Sequence, residues 1–348
     1  MNYFLLITTI SLVCGMLSAY LVLRLLLKYI SGFGGSKGSE NEIRWSSQRV
    51  PTMGGIILMA AFLVGYIFQI ALSGFSNMSF LFGVVFMFVV GLYDDLQSVK
   101  AATKLLAQVV VAIGTVVSGF GLTLFGTTPD FILSVLILVG MMNSLNMIDN
   151  MDGVAAAVTL VFVAGAIVIL GWLAGFGLFG GLLLFLFYNR KPAKIYLGDS
   201  GSLFLGFIMG FLSIQFLNSV LFESTSKWLD AASIVLSMFV FPLADTGVVV
   251  INRLLAGISP ARGGRDHSTH HLVYAGVQEY LIPVLYMLVT ILGWGILYFG
   301  LSKGCFEVSQ YCGVLFPILS LGLFFIVFSI LWIISRSNIK KGKYTYSK

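Results

Sequence analysis

The feature that most constrains this chain is the spacing of its charges. Apolar runs of about twenty residues follow one another, and nearly every charged residue sits in the gaps between them. About twenty apolar residues in a helix cross the hydrocarbon core of a bilayer. Backbone polar groups in lipid must be satisfied within the segment, which a helix achieves and an open sheet does not. The pattern predicts eleven spans, at about 3–27, 53–72, 78–93, 104–121, 130–148, 153–170, 172–188, 200–218, 231–251, 281–301 and 314–335. Only Gly171 and its neighbours separate the sixth from the seventh. Composition agrees: 10% of the 348 residues are charged, against about 25% in a soluble domain, and mean hydropathy is +1.00. The expected fold is all-α, a single multi-span membrane domain over 1–348 with no internal repeat and no separate soluble domain.

The net charge of +6 would point to nucleic acid in a soluble protein, but here the basic residues gather on one side of the spans. Arg24 and Lys28 follow the first apolar run instead of preceding it. That order is wrong for a cleaved signal peptide and right for a first span with its N-terminus outside. The segments then placed inside are 28–52, 94–104, 149–152, 189–199, 252–280 and 336–348. With Arg24 snorkelling to the same side, they hold every basic residue except Lys227 and Lys303. This bias predicts an odd number of spans and a cytoplasmic C-terminus, with the basic tail 336–348 on anionic headgroups. No nucleic-acid partner is expected. Cys305 and Cys312 share an outer loop, where a disulfide and two separate thiols are both open.

The acids are as unevenly placed as the bases. Seven of the nine aspartates, Asp94, Asp95, Asp149, Asp152, Asp199, Asp245 and Asp266, lie at or near the inner ends of spans. Carboxylates near hydrocarbon are costly unless paired, hydrated or bound to a cation, so a purely structural bundle has no reason to collect them on one face. Four loops, 94–104, 143–153, 189–202 and 245–271, then form one cleft. Asp94 and Asp95 end the third span, and Lys100 and Lys104 follow as point charges suited to phosphate oxygens. In the string Asn143 to Gly153, Asn146, Asp149 and Asp152 recur every three residues along one helix edge. Asn143, by contrast, fits an interhelical hydrogen-bond seam. Asn189, Tyr196 and Asp199 lie in a Tyr188-to-Ser202 string whose end reads as a helix start. Backbone N–H groups there favour anions, with a self-cap at Asp199 or Ser200 as the simple alternative. The fourth loop holds Arg253, Arg265 and all three histidines, His267, His270 and His271. Arginines suit a diphosphate, and histidines suit phosphate contact or proton transfer more than zinc, since no spaced Cys/His pair is present.

Taken in order, Pro51-Thr-Met-Gly-Gly55, Asp94-Asp95, the Asn143-to-Gly153 string, Leu197-Gly-Asp-Ser-Gly-Ser202 and the histidine loop after Pro242-Leu-Ala-Asp245 resemble the polyprenyl-phosphate N-acetylhexosamine-1-phosphate transferases. These belong to glycosyltransferase family 4, the superfamily of the phospho-MurNAc-pentapeptide translocase. The resemblance covers residues 51 to 271. It implies transfer of N-acetylhexosamine-1-phosphate from a UDP-sugar to undecaprenyl phosphate, with release of UMP, at the cytoplasmic face of the inner membrane. Such a reaction starts O-antigen, capsule or teichoic-acid-type glycans. The resemblance also implies Mg²⁺, with Mn²⁺ as a substitute, and is compatible with a homodimer.

Residue by residue, Asp199 matches the metal ligand and Asp94 the acid proposed to deprotonate the lipid phosphate. Asp95 lies beside it, and both are further candidates for the metal. Asn146, Asp149 and Asp152 match nucleotide-sugar contacts, with Asp152 counted among the catalytic acids. Asn189 and Tyr196 match positions near the uracil, and His270 and His271 those near the diphosphate and sugar. Lys100, Lys104 and Arg265 are left to share phosphate charge. The chain departs from the pattern at Asn150, where a glycine is usual, and at Ser268, where a histidine is usual. The second departure weighs against the pentapeptide translocase, which is the alternative. An ion-coupled transporter is the alternative of another class, and it predicts mid-span acids and related halves that this sequence lacks.

Overall fold

The structure is a computed structural model that describes residues 2–29, 50–74, 77–221, 227–260, 264–305 and 312–346. Among the described residues every regular element is helical. The α-helices are α1 (Asn2–Tyr29), α2 (Gly54–Ser73), α3 (Met78–Gln97), α4 (Ala101–Thr115), α5 (Thr127–Ile148), α6 (Val154–Leu170), α7 (Ala174–Asn189), α8 (Gly198–Val220), α9 (Lys227–Met238), α10 (Val240–Leu255), α11 (Ser268–Tyr274), α12 (Ile282–Ser302) and α13 (Cys312–Lys340). The eleven predicted segments map onto these in order, with α9 and α10 sharing one segment and the two-turn α11 lying in the histidine loop. The protein is a multi-span membrane protein: among the described residues eight helices are long and apolar enough to cross a bilayer, or nine spans if α9 and α10 are one broken span. The remaining two predicted spans, α6 and α7, are apolar but only 17 and 16 residues long.

Cross-links between ends show how the helices alternate. At one end the Ala174 amide donates to Gln69 Oε1 (3.0 Å) and the Thr123 amide to Asn218 Oδ1 (3.0 Å). At the other, the Gly153 amide donates to Asn189 Oδ1 (3.0 Å) and the Gly54 amide to the Tyr196 carbonyl (2.9 Å). This second end gathers the C-terminal ends of α3, α5, α7, α10 and α13 and the N-terminal ends of α2, α4, α6, α8 and α12. It is the end that carries all seven clustered aspartates.

Helix α8 is the axis of the bundle. Every residue from Ser200 to Ile214 is buried, as expected of a helix that is apolar on all sides. Small residues let its neighbours close in, since packing in lipid relies on close approach of backbones and not on expulsion of water. A Cβ built on Gly15 of α1 would stand 2.3 Å from the Gly177 carbonyl oxygen of α7, and one on Gly91 of α3 would stand 2.3 Å from the Asp199 carbonyl oxygen. Any side chain at either position forces the helices apart.

The segment 231–251, read above as one straight span, breaks between α9 and α10 with a bend of 92°. Pro242 accounts for the break. It has no N–H to donate to Met238, and its ring collides with the carbonyl of that residue in a continuous helix. Phe239 at the junction leaves helical geometry (φ −126°, ψ 33°). Polar pairs then hold the broken span to α13: Ser237 Oγ donates to Ser320 Oγ (2.8 Å) and Asn252 Nδ2 to Ser335 Oγ (2.8 Å). The expected choice at Cys305 and Cys312 rests on a side chain outside those described, as do the basic residues Lys37, Arg44, Arg49 and Arg262.

Candidate active site

Three helix ends meet at the centre of the acid-bearing face. Asp94, in the last turn of α3, and Asp199, in the first turn of α8, both bind the ammonium of Lys104 from the first turn of α4. The Asp94 side chain is 8% exposed and Asp199 26%, so Asp199 is the carboxylate a ligand reaches more readily. Asp94 also accepts the Val99 amide, which shapes the turn between α3 and α4. Its neighbour Asp95 points the other way along the helix end. Its two oxygens accept the amides of Asp199 and Ser200, each at 2.9 Å. The self-cap held as the alternative at Asp199 or Ser200 is therefore not what forms; α8 is capped across the helix interface by Asp95. This satisfies two of the amides that every helix N-terminus leaves without an intrahelical partner and releases the Asp199 carboxylate to face Lys104. Lys100, the other basic residue of the turn, is exposed.

The segment before α2 closes this corner. The Gly54 and Gly55 amides donate to the Tyr196 and Leu197 carbonyls (2.9 and 3.0 Å), and the Tyr196 amide returns to the Pro51 carbonyl (2.9 Å). Gly198 follows at φ +75°, a left-handed angle that favours glycine. A Cβ there would also stand 2.7 Å from Asp95 Oδ2.

Around this corner the remaining loops are held by amides and hydroxyls. Asn146 Oδ1 accepts Ser202 Oγ (2.9 Å). Asn143 Nδ2 donates to Gln108 Oε1 (2.6 Å), the interhelical seam expected for it. Asn189 is buried, and both halves of its amide are in use: Oδ1 takes the Gly153 amide and Nδ2 donates to the Ile195 carbonyl (2.8 Å). It ties two loops together. Asp152 Oδ2 accepts the Ala193 amide (3.2 Å). Burial pushes its pKa up, against the lowering effects of that amide and of Lys191. Asp149 caps the end of α5, and both it and Tyr196 are half-buried at the cleft.

The histidine loop departs most from expectation. Arg253, a candidate for diphosphate, is buried in a two-pronged pair with Asp266, Nε to Oδ2 (2.8 Å) and Nη2 to Oδ1 (2.7 Å), and Nη1 donates to the Pro260 carbonyl (2.6 Å). Burial alone would raise Asp266, but the guanidinium more than offsets this and holds its carboxyl below the ordinary range. Asp245, fully buried in α10, accepts the Ser268 amide (2.7 Å) and stands 3.0 Å from His267 Nδ1. His270 and His271 are 2% and 0% exposed. Burial lowers their pKa values to about 3 and about 4, so both rings are neutral at pH 7. The His271 ring packs against Tyr274 and Tyr344, away from solvent. Arg265 is half-buried on the approach to α11. The two departures noted in the sequence bracket one contact: Asn150 Oδ1 accepts Thr269 Oγ1 (2.6 Å), linking the turn of Asp149 and Asp152 to the helix of His270 and His271.

Among the described residues no three His, Cys, Asp or Glu side chains converge on one point. The Asp94–Lys104–Asp199 bridge is the place where two carboxylates from different helices already share one positive charge. Two carboxylates completed by water and phosphate oxygens form a donor set that suits Mg²⁺, which holds on to several waters. The residues present therefore fit that ion.

The fold and this corner define a polytopic membrane protein whose spans deliver carboxylates and a lysine to one end of the bundle. Residues 77–217 match the model of glycosyl transferase family 4. A probable undecaprenyl-phosphate N-acetylglucosaminyl 1-phosphate transferase of Bacillus subtilis is 28% identical over 69% of this chain and 70% of the relative. Phospho-N-acetylmuramoyl-pentapeptide-transferases are also similar. That of Shouchella clausii is 32% identical over 69% of this chain and 79% of its own length, and that of Caldanaerobacter subterraneus 30% over 72% and 84%. The chain belongs to glycosyl transferase family 4 and is a membrane-embedded transferase.

Proposed function

We propose that the protein transfers N-acetylhexosamine-1-phosphate from a UDP-sugar to undecaprenyl phosphate, releasing UMP and starting a lipid-linked glycan. The observation that carries this reading is the meeting of Asp94, Lys104 and Asp199 at one point. It is supported by a relative whose name states that chemistry. A phosphate oxygen of the lipid attacks the β-phosphorus of the UDP-sugar. The bond from that phosphorus to the bridging oxygen breaks, and the electron pair leaves with UMP. Such a transfer depends chiefly on positioning and on neutralising charge. Asp199, with Asp94, would hold Mg²⁺, which supplies positive charge to the diphosphate when bound. Lys104 shares that charge, and the exposed Lys100 and half-buried Arg265 extend it outward. A phosphate monoester has its second pKa near ~6 and is mostly ionised at pH 7, so Asp94 serves more to orient the lipid phosphate than to remove a proton. Asp149, Asp152 and Tyr196 face the cleft as contacts for the nucleotide-sugar. The basic bias of the same end supports a cytoplasmic site on a bacterial inner membrane.

The test is a transfer assay on the purified chain in detergent, with Mg²⁺, undecaprenyl phosphate and a panel of UDP-sugars, following UMP and lipid product together. Release that requires lipid and metal establishes the reaction and identifies the sugar; no release from folded protein with any of them rejects it. UDP-MurNAc-pentapeptide belongs in the panel. The 30 to 32% identity to pentapeptide transferases makes that substrate the second reading.

A further inference from the structure

The basic C-terminal segment, expected on lipid headgroups, folds back over the protein. Gly342 turns the chain after α13 (φ +70°). Lys343 Nζ then donates to the Tyr274 carbonyl (2.6 Å). Tyr274 ends α11, and a helix C-terminus has carbonyls without intrahelical partners and a dipole that favours a cation. The Tyr344 ring stacks on Tyr274 (centroids 6.2 Å apart, planes 21°) and meets the His271 ring edge to face (5.6 Å, 81°). Four residues before the turn, Asn338 Nδ2 donates to the His271 carbonyl (2.7 Å). Seven residues are too few to hold a helix in water by themselves, so α11 takes its position from what surrounds it. Asp245 and Asn150 fix its N-terminal half; the last turn of α13 and the tail fix its C-terminal half.

We infer that the C-terminal segment is a strap that positions the histidine helix for transfer, with Tyr344 acting through His271 and Lys343 through the C-terminus of α11. Both are positioning residues and touch no substrate. The inference rests on the functional reading above and on the family resemblance, which puts His270 and His271 near the diphosphate and sugar. A ring removed from behind His271 frees it to turn, and a shift of about 1 Å in a group that positions substrate costs up to about 10²-fold in rate.

The test uses the full chain in detergent, as wild type, Y344A, Y344F and K343M. It has two readouts: kcat and KM for the UDP-sugar that supports transfer, and modification of His271 by diethyl pyrocarbonate, resolved by peptide mass. Y344A should lower kcat about tenfold and speed His271 modification several-fold, with little change in KM. Y344F, which keeps the ring, should recover most of both. K343M, at an exposed position, should lower kcat about threefold, and it carries the test where Y344A does not fold. A Y344A kcat within twofold of wild type, an increase in kcat, or a Y344F no better than Y344A overturns the strap. Absence of transfer in the wild type sinks the functional reading instead. The strap then stands or falls on whether Y344A accelerates His271 modification.

Discussion

Two halves of the acid-bearing face use charge in opposite ways. At the ends of α3, α4 and α8, two carboxylates share one ammonium, and the more exposed of them is open to the cleft. In the histidine loop the carboxylates are taken up in the interior: Asp266 by Arg253, and Asp245 by the Ser268 amide and the His267 ring. In the first arrangement one ammonium serves two carboxylates, and the more exposed of these is reachable from the cleft. The second cannot lose a partner without leaving a bare charge in a low-dielectric interior. Residue type alone therefore does not separate chemistry from architecture on this face; accessibility and the number of competing partners do.

The largest effect expected to sharpen this contrast is that of D199N. Transfer should fall by about 10²–10³-fold, the scale for removing one group that stabilises developing charge, while the melting temperature barely moves. A variant that keeps more than a tenth of wild-type transfer would break the distinction. The reverse is expected of R253M. Breaking a buried ion pair costs about 3–5 kcal/mol, so the melting temperature should drop clearly while transfer per folded molecule changes far less. Full thermal stability in R253M would show that the loop's charges are not structural.

Acidification should separate the halves more gently. His270 and His271 have folded pKa values of about 3 and about 4, below the unfolded value of 6.5. The unfolded chain thus binds protons that the native one refuses as pH falls through 6.5, and stability declines until the folded values are reached. The slope is at most about 1.4 kcal/mol per pH unit for each ring. Thermal melts at pH 7 and pH 5 measure it, and H271N should flatten the difference; an unchanged slope would mean the ring is hydrated. The smallest effect lies in the tie between the halves. N150A and T269V should each raise the KM for the UDP-sugar a few-fold, about 1 kcal/mol for one hydrogen bond, and the double variant should do no more than either alone. Additive effects would show that the two loops move independently.

The span pattern was legible because charge in an apolar sequence is conspicuous, and so were Asp94, Lys104 and Asp199 as individual residues. Their place in one cleft was expected too, but the bridge through Lys104 was not, since Lys104 and Asp199 are 95 positions apart and only the bundle makes them partners. Pro242 was visible, yet the apolar run around it reads as a single span, and hydropathy carries no information about a bend. The partners of Arg253 and Asn189 could not be read from the sequence: a polar residue near a site looks like a ligand-binding group until the fold supplies its intramolecular bonds. The tail's basic residues, Lys340, Lys341 and Lys343, stay exposed, as a headgroup contact needs, while Tyr344 beside them turns inward onto Tyr274 and His271.

The short helices α6 and α7 carry a consequence for the membrane itself. At 1.5 Å per residue they are about 25 Å long, against about 30 Å of hydrocarbon, and their outer faces are apolar, with Val168 72% and Phe187 56% exposed. Lipid meeting them would have to thin to match. A bilayer thinned there would bring its headgroup layer toward the turn at Gly153 and the end of α7 at Asn189. Turnover in vesicles should then fall as acyl chains lengthen beyond about eighteen carbons, with the bilayer's thickness acting as part of the enzyme's geometry.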